Sequence, residues 1–551
     1  MLDAAFAAAT LSLRFTTVLF VRHHPIGPRY LPRIYAACGA YLTLVAVHCL
    51  SFIRGPSDSR PNPRRHLLGI ALLGWLDLAR RPILSALTVL VNVLCLLATV
   101  DFIYRGHILY PSADSSFSRL GFVSVSSASI AIRAPNTTAV ELQYRGQNDK
   151  GEGIDSWTVA ETIRTSDESD WTGIFHINGL TPGTEYTYRT NASHEGTFKT
   201  SPSTLKKFTF VSTSCIKPFY PYNPLNHALR IPGLEHLGRF ASQRTIDFVL
   251  FLGDFIYIDL PLPLGWSREH YTTLYRQVYA SPSWSTAALR NVPWLHVYDD
   301  HEIVNDYHSE QLLNSTAAGS AAAAIDYDSA LHPYFHYQGH ANPPSSEKFG
   351  QGEAYYTFSH GDVAFFVLDT RRYRSAPDTP DRVGEKTMLG AKQLADLRRW
   401  LETEDKWKVV VSSVPFTRNW RGPDAADSWA GYLAEREVVF EMMRKTEGVV
   451  ILSGDRHEHA TTLFPASTST DPRGKDIIEF STSALNQFFE PFSRHHRQIE
   501  DTDVAIANFY KGNSKFAAVT FDTSNSSRWI TDFELVIDGV VTWTYQWVFV
   551  R

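Results

Sequence analysis

Four short apolar runs of this 551-residue chain end in groups that can bind a cation or move a proton. KFTFVSTSC (207–215) closes on Cys215, and IDFVLFLGD (246–254) closes on Asp254, with Tyr257 and Asp259 just beyond. VPWLHVYDD (292–300) ends in Asp299 and Asp300, followed by His301 and Glu302. GVVILSGD (448–455) ends in Asp455, followed by His457. One acid after a strand is usually a helix cap, and a lone Asp-Asp or His-X-His pair is usually surface chemistry. Gathered in one place, however, so many anionic groups repel one another and stay protonated unless cations neutralise them. Carboxylate, imidazole, thiolate and phenolate together form a ligand set for two or more metal ions.

The elements that must gather them are legible in the same runs. With DVAFFVLD (362–369) and KWKVVVSSVP (406–415), they are short and near-continuously apolar, as strands buried on both faces of a sheet must be. GAKQLADLRRWLETE (390–404) and LAEREVVFEMMRK (433–445) carry helical periodicity between them. In an open α/β sheet the ligand site lies beyond the carboxyl ends of the strands, so the polar residues converge on one edge.

The remaining chain has a different texture. IYAACGAYLTLVAVHCLSFI (34–53) and ILSALTVLVNVLCLLATVDFI (83–103) are as long as a bilayer-spanning helix requires, roughly 20 residues. Whether AAFAAATLSLRFTTVLFV (4–21) also spans is left open by Arg14 near its centre, which costs about 2.5–3.5 kcal/mol on insertion scales. LLGIALLGWLDLA (67–79) is too short to span and is expected at the interface. Arg54, Arg60, Arg64, Arg65, Arg80 and Arg81 between the two later spans predict a cytoplasmic loop, which places the chain after Tyr104 on the lumenal or extracellular side. Sequons at Asn136, Asn191, Asn314 and Asn525 are compatible with a glycoprotein there. Cys38, Cys49 and Cys95 fall in the spans, so Cys215 has no disulfide partner downstream. A net charge of −5 gives no reason to expect nucleic acid.

Residues 111–200 alternate as short strands do, in SASIAIRA and TAVELQYRG. The stretch NGLTPGTEYTYRT (178–190) resembles the tyrosine-corner region of fibronectin III-like sandwiches. The predicted organisation is a membrane region (1–105), a small all-β domain (111–200), an α/β domain (206–520) and terminal strands (521–551).

The order TSC, GDFIYID, YDDHE, LDTRRYR, DSWAGYLAER and SGDRHEH resembles the PhoD-like, or alkaline phosphatase D, branch of the calcineurin-like metallophosphoesterases, and membrane-anchored fungal members above all. The resemblance implies a β-sandwich flanked by helices and hydrolysis of a phosphate ester by metal-bound hydroxide. It also implies Fe3+ and Ca2+ as cofactors, with Zn2+, Mg2+ or Mn2+ left open. By motif, Asp254 bridges two metals, Tyr257 binds ferric iron as phenolate, and Cys215 is the first-strand ligand. Asp300 and the pair Asp455 and His457 complete the ligands, with Asp455 standing where the superfamily has a histidine. His301 faces the substrate as acid or transition-state stabiliser. Arg371 or Arg374 clamps phosphate or, alternatively, forms structural ion pairs, while Trp429 and Tyr432 are packing residues. The competing readings are a catalytically silent metal-binding receptor and an adhesion module built on residues 111–200.

Overall fold

The computed structural model describes residues 2–53, 67–147, 156–309, 326–344, 349–350, 353–403, 406–421, 423–466, 474–489, 495–498 and 502–550. The chain divides into two compact units. One comprises Met1–Pro111 with Phe219–Ala228 and Leu260–Pro263; the other comprises Ser112–Pro218, Leu229–Asp259 and Leu264–Arg551.

The first unit is helical. Helices α1 (Leu2–Arg22), α2 (Gly27–Ile53) and α4 (Pro82–Leu109) are each long and apolar enough to cross a membrane, and α3 (Leu67–Leu73) is not. Arg14 has polar company within α1's own bundle. Its Nε donates to Asn92 Oδ1 at 2.7 Å, and its Nη1 donates at 2.6 Å to the carbonyl of Ala71 in the last turn of α3. Asn92 Nδ2 donates to Thr10 Oγ1 at 3.1 Å, and Thr88 Oγ1 donates to the Ile70 carbonyl at 2.7 Å. The guanidinium thus satisfies a carbonyl that a seven-residue helix leaves without an intrahelical partner. Phe15, Leu90, Leu94 and Leu97 remain exposed, as a lipid-facing surface requires. Arg54, Arg60, Arg64 and Arg65 lie outside the described residues.

The second unit begins with a three-on-four sandwich. One sheet has the order β1 (Phe117–Val123), β2 (Ser127–Arg133), β5 (Thr172–Asn178); the other has β4 (Thr158–Arg164), β3 (Ala139–Gly146), β6 (Glu185–Thr190), β7 (Glu195–Lys199). Alternation sends Ile130, Ile132, Val140 and Leu142 inward to meet Phe175, Tyr188 and Phe198. Thr181 N donates to Tyr186 Oη at 2.9 Å, tying the turn before β6 to a tyrosine five residues on. Asn136, Asn191 and Asn525 are exposed, and Asn314 lies outside the described residues.

Two larger sheets follow. The six-stranded sheet has the order β10 (Trp294–Val297), β9 (Phe248–Leu252), β8 (Lys207–Thr213), β18 (Lys515–Asn525), β19 (Arg528–Ile537), β20 (Val540–Val550). The seven-stranded sheet has β11 (Tyr356–His360), β12 (Val363–Val367), β13 (Trp407–Val411), β14 (Val450–Ser453), β16 (Ile477–Thr482), β15 (His459–Phe464), β17 (Val504–Phe509). Strands β8, β9 and β10 are mutually parallel, as are β12, β13, β14 and β16.

The near-continuous apolar runs have a direct explanation. Phe248, Leu250 and Leu252 join Phe365, Val367, Val409 and Val411 in the core between the sheets. The alternate residues Val249 and Phe251 pack outward with α5 (Pro232–Ala241), α6 (Arg268–Tyr279) and α7 (Tyr327–Tyr337). Ala364, Phe366 and Val410 pack outward with α8 (Gly390–Glu402) and α9 (Leu433–Arg444). Both faces of each strand are dry, so neither can be polar. The strands after residue 520 are no separate appendage: β18 pairs directly with β8, and β19 and β20 extend the same sheet.

Candidate metal centre

Strands β8, β9 and β14 deliver their polar residues through sharp turns at their carboxyl ends. Cys215, Asp254, Asp455 and His457 all have positive φ, at 63°, 57°, 73° and 56°. Such a conformation costs a non-glycine residue on the order of 1–3 kcal/mol, and it persists only where the surroundings impose it. Gly253 shows the constraint most clearly. With φ at 98° it lies so close to the next loop that a Cβ there would come within 2.5 Å of Asp299 Cβ.

The turns bring the side chains together. Ligand atoms of Cys215, Asp254 and His457 lie within 4.8 Å of one another, as do those of Asp254, Asp300 and His301, and those of Asp254, Asp299, Asp300 and Asp455. Asp254 is common to all three groups, the position required of a bridging carboxylate. Tyr257 Oη donates to Asp254 Oδ2 at 3.0 Å and lies 3.2 Å from His457 Nε2. Cys215 Sγ is 3.2 Å from the same Asp254 oxygen. The six ligand candidates from sequence therefore share one edge, with His301 beside them.

The donor set fits cations. Asp254 Oδ1 and Asp299 Oδ2 are buried and accept no hydrogen bond. Burial pushes the Asp254 carboxyl well above the usual range; the His301 charge opposes this, and Asp300, Asp299 and Glu302 add to it. Burial also raises Asp455, against the pull of Arg456. The Cys215 thiol is raised by burial and by Asp254 and Asp455, and the Tyr257 phenol by burial, Asp254 and Cys215. Burial and Lys515 hold His457 neutral, with its pKa well below the ordinary value. Without positive charge these groups are protonated or mutually repelled, and cations reverse that.

His301 is different. Burial lowers its pKa, but Asp259, Asp300 and Asp254 outweigh that and hold it well above the ordinary value. Its Nδ1 lies 2.7 Å from Asp259 Oδ1, and its ring lies 4.2 Å, centroid to centroid, from that of Tyr257. Asp259 stands five residues after Asp254 in the same motif, yet only the turn reveals it as the partner of His301.

The two arginines read from sequence as a phosphate clamp or as structural ion pairs stand among carboxylates. Arg371 and Arg374 do not present themselves to a phosphate. Arg371 is fully buried, with Nε 2.5 Å from Asp299 Oδ1 and its two Nη atoms 2.7 and 3.0 Å from the Asp427 oxygens. Arg374 pairs with Asp427 at 2.8 Å and donates through Nε to Tyr432 Oη at 2.9 Å. The Arg371 fork is filled by Asp299 and Asp427, and Arg374 Nη2 turns to the Ala426 carbonyl at 3.3 Å, so both guanidiniums are engaged in buried ion pairs and hydrogen bonds within the fold. Trp429 packs as expected, its ring centroid 4.4 Å from that of Phe416.

Other members of the site escape sequence reading. Glu302 Oε2 accepts from the backbone N–H of Asp254 at 2.9 Å and of Asp299 at 2.7 Å, and Oε1 accepts from Phe255 N at 2.5 Å. It clamps the two acid-bearing loops to each other, and burial raises its pKa to about 8. Lys515, on β18, donates to the His457 carbonyl at 2.9 Å. Asp306 and Asp427 form a further group with Asp300. Asp427 lies inside the DSWAGYLAER motif, which gave a signal without a role.

Two facing sheets with a crowded acidic edge at their carboxyl ends define a candidate metallohydrolase. Residues 210–526, more than half of the chain, match the family model for PhoD-like phosphatase, and the chain belongs to that family. It is 27% identical over 326 residues to alkaline phosphatase D of Bacillus subtilis (strain 168), an alignment covering 51% of this chain and 52% of the relative. The chain thus spans about half the length of the curated relative it matches. The solved structure described as "Structure of PhoD" superposes with a TM-score of 0.59 at 19% identity, over 80% of this chain and 89% of that one, and shares the fold.

Proposed function

We propose that this chain is a membrane-tethered, metal-dependent phosphoric ester hydrolase. The observation that carries the reading is the convergence of Cys215, Asp254, Tyr257, Asp300, Asp455 and His457 on one edge, with Asp254 shared by three of the four candidate ligand groups among the described residues. Cys215, Tyr257 and His457 with Asp254 offer the softer, anionic donors that suit Fe3+; Asp254, Asp300 and Asp455 offer the oxygens that suit Ca2+. Bound cations would supply Lewis acidity toward the phosphoryl oxygens and lower the pKa of water from 15.7 to about 7.

The chain's own residues do the rest. His301, kept protonated by Asp259, holds a proton for the departing alkoxide. Tyr257 packs against its ring at a tilt of 38°, and Glu302 fixes the loops that aim Asp254 and Asp299. The small sandwich, read as fibronectin III-like, is a spacer beside this domain. The three helices long and apolar enough to cross a membrane support tethering, and the arginine-rich loop, read as cytoplasmic, supports a catalytic domain on the lumenal or extracellular side.

The test combines metal analysis of the purified protein with hydrolysis of a monoester and a diester of nitrophenol. Iron, a visible phenolate charge-transfer band altered by Tyr257→Phe, and activity lost to a calcium chelator and restored by calcium better than by zinc support the reading. A colourless, iron-free protein of full activity would overturn the iron assignment. Absence of hydrolysis in fully metallated protein would favour a silent receptor. Protease treatment of sealed microsomes tests topology, with residues 111–551 expected to survive.

A further inference from the structure

The two edges of the six-stranded sheet are finished in different ways. At one end stands β10, four residues long and buried throughout. Side chains take up its free main-chain groups: His296 N donates to Asn342 Oδ1 at 2.8 Å, Asn342 Nδ2 donates to the His296 carbonyl at 2.7 Å, and Arg119 Nη1 donates to the Trp294 carbonyl at 3.4 Å. At the other end stands β20, eleven residues that pair with β19 alone among the described residues. Its sequence VVTWTYQWVFV holds no charge, no proline and no glycine. Native edges are ordinarily blunted by shortness, charge, proline, a bulge or a covering segment, because open N–H and C=O groups are a template for another strand. Among the described residues no side chain from another element bonds to the β20 main chain. Its one irregularity is at Thr542, opposite Leu535 and Val536, and it leaves Trp543–Val550 in regular register.

We propose that β20 is the surface through which two copies of this chain pair, strand against strand about a two-fold axis at Tyr545, so that two six-stranded sheets become one. The occupant is read from the symmetry of the strand itself. A two-fold contact must be complementary to itself, and side chains opposite each other in an antiparallel ladder share a face. Centred on Tyr545, the pattern reads alike in both directions: Trp543 meets Trp547 of the second copy, Thr544 meets Gln546, and Tyr545 meets its own equivalent. Trp543, Tyr545 and Trp547 are partly buried against the core between the sheets, while Thr544 and Gln546 are exposed. Self-pairing therefore sets aromatic against aromatic on one face and polar against polar on the other, and no like charges are opposed. A two-fold at Trp547 would instead oppose Gln546 to Val548, and one at Trp543 would run into the irregularity at Thr542.

The rings are held in place before a second copy arrives. Trp543 stacks with Tyr545, centroids 5.4 Å apart, and lies 6.0 Å from Phe509 of β17 and 5.8 Å from Phe533 of β19. Gln546 Nε2 donates to Asp532 Oδ1 at 2.7 Å. Little side-chain freedom is left to lose on pairing, and tryptophan and tyrosine are the residues that anchor interfaces. Residues Trp543–Trp547 of each copy supply on the order of five main-chain hydrogen bonds, about half the number in a typical interface, so dissociation at the micromolar end of the range is expected.

The experiment is sedimentation of the full chain in detergent across a concentration series, with cysteine crosslinking as the check on register. Wild type should pass from one copy to two as concentration rises. Tyr545→Cys should crosslink to itself on mild oxidation, beyond any crosslink formed by wild type, because directly opposite residues lie about 4.5–5.5 Å apart at Cα, within disulfide reach. Trp543→Cys and Trp547→Cys should crosslink when mixed and not alone. Thr544→Lys/Gln546→Lys sets two lysines opposite two of the second copy and should raise the dissociation constant at least tenfold. Within one chain those positions lie across from Glu534 and Asp532, so the fold, read by its unfolding midpoint, and hydrolysis should be kept. A chain that stays single at every concentration, or a dimer that survives the paired lysines, would overturn the proposal. So would slow amide exchange along β20 in single copies, since the strand would then be covered by its own chain. If the tryptophan variants are unstable, the lysine variant, altered only at exposed residues, decides alone.

Discussion

Asp254 and Asp427 are both buried carboxylates of the acidic site, each within reach of Asp300, and their surroundings treat them in opposite ways. Both oxygens of Asp427 meet arginine forks from Arg371 and Arg374, and these cations hold its pKa well below the carboxylate range in spite of burial. Asp254 keeps one buried oxygen that accepts no hydrogen bond, shares the other with a thiol and a phenol, and is pushed well above that range. The protein gives one acid two arginine forks and leaves the other with a single histidine among three further acids. A buried acid completed by its own chain is architecture; one left short of positive charge is a place for a ligand.

The contrast can be broken most severely at Asp254. Asp254→Asn should remove iron and calcium together and lower kcat on the order of 10³-fold or more for every substrate, since metal charge stabilisation is worth several kcal/mol. Metal content by mass spectrometry and turnover check it, and full metal content would deny the bridging role. His301→Ala should keep the metals while losing about 10²–10⁴ in rate. The loss should be larger for an alkyl phosphate than for a nitrophenyl ester, whose leaving group departs without a proton. Asp259→Asn should reproduce that leaving-group dependence in weaker form, about tenfold to a hundredfold, because it acts by orienting His301.

On the architectural side, Arg371→Ala should cost about 3–5 kcal/mol in denaturant unfolding, because Asp299 would be left buried without its arginine and Asp427 would keep only Arg374 and the more distant Arg456. An unfolding midpoint that does not move would mean that the cluster tolerates Asp427 protonated. The smallest effect concerns pH at His336 on α7. His336 titrates at about 4 folded and near 6.5 unfolded, so between those values the unfolded chain binds the extra proton and stability falls as pH falls. His332, His340 and Arg268 face it and act in the same direction. Melting temperatures of His336→Gln should accordingly decline less steeply than those of wild type between pH 6.5 and 4.

Local patterning set out much of this molecule. Runs such as FVLFL and VAFFV had to be strands covered on both faces, and they are, because alternate residues enter two different cores. Within each sheet the polar residues after those runs had to share an edge, because parallel strands end on one side; that Asp455 of the seven-stranded sheet meets Asp254 of the six-stranded one was decided by how the two sheets face each other. The long apolar helices followed from length and hydropathy, since a span needs only local composition.

What tertiary structure alone decided is which charges meet. Arg371 and Arg374 stand in the sequence as plausible phosphate clamps, and only folding shows Asp427, more than fifty residues away, filling their forks. Arg14 reads as an obstacle to insertion until Asn92 and the Ala71 carbonyl arrive beside it from other helices. Glu302 looks like one more acid in YDDHE, and it becomes a clamp because the Asp254 and Asp299 amides point at it across a turn. The physical reason is common to all three. Whether an apolar residue is buried depends on its neighbours in sequence, whereas the role of an ionisable group depends on a counter-charge or dipole that sequence proximity does not specify.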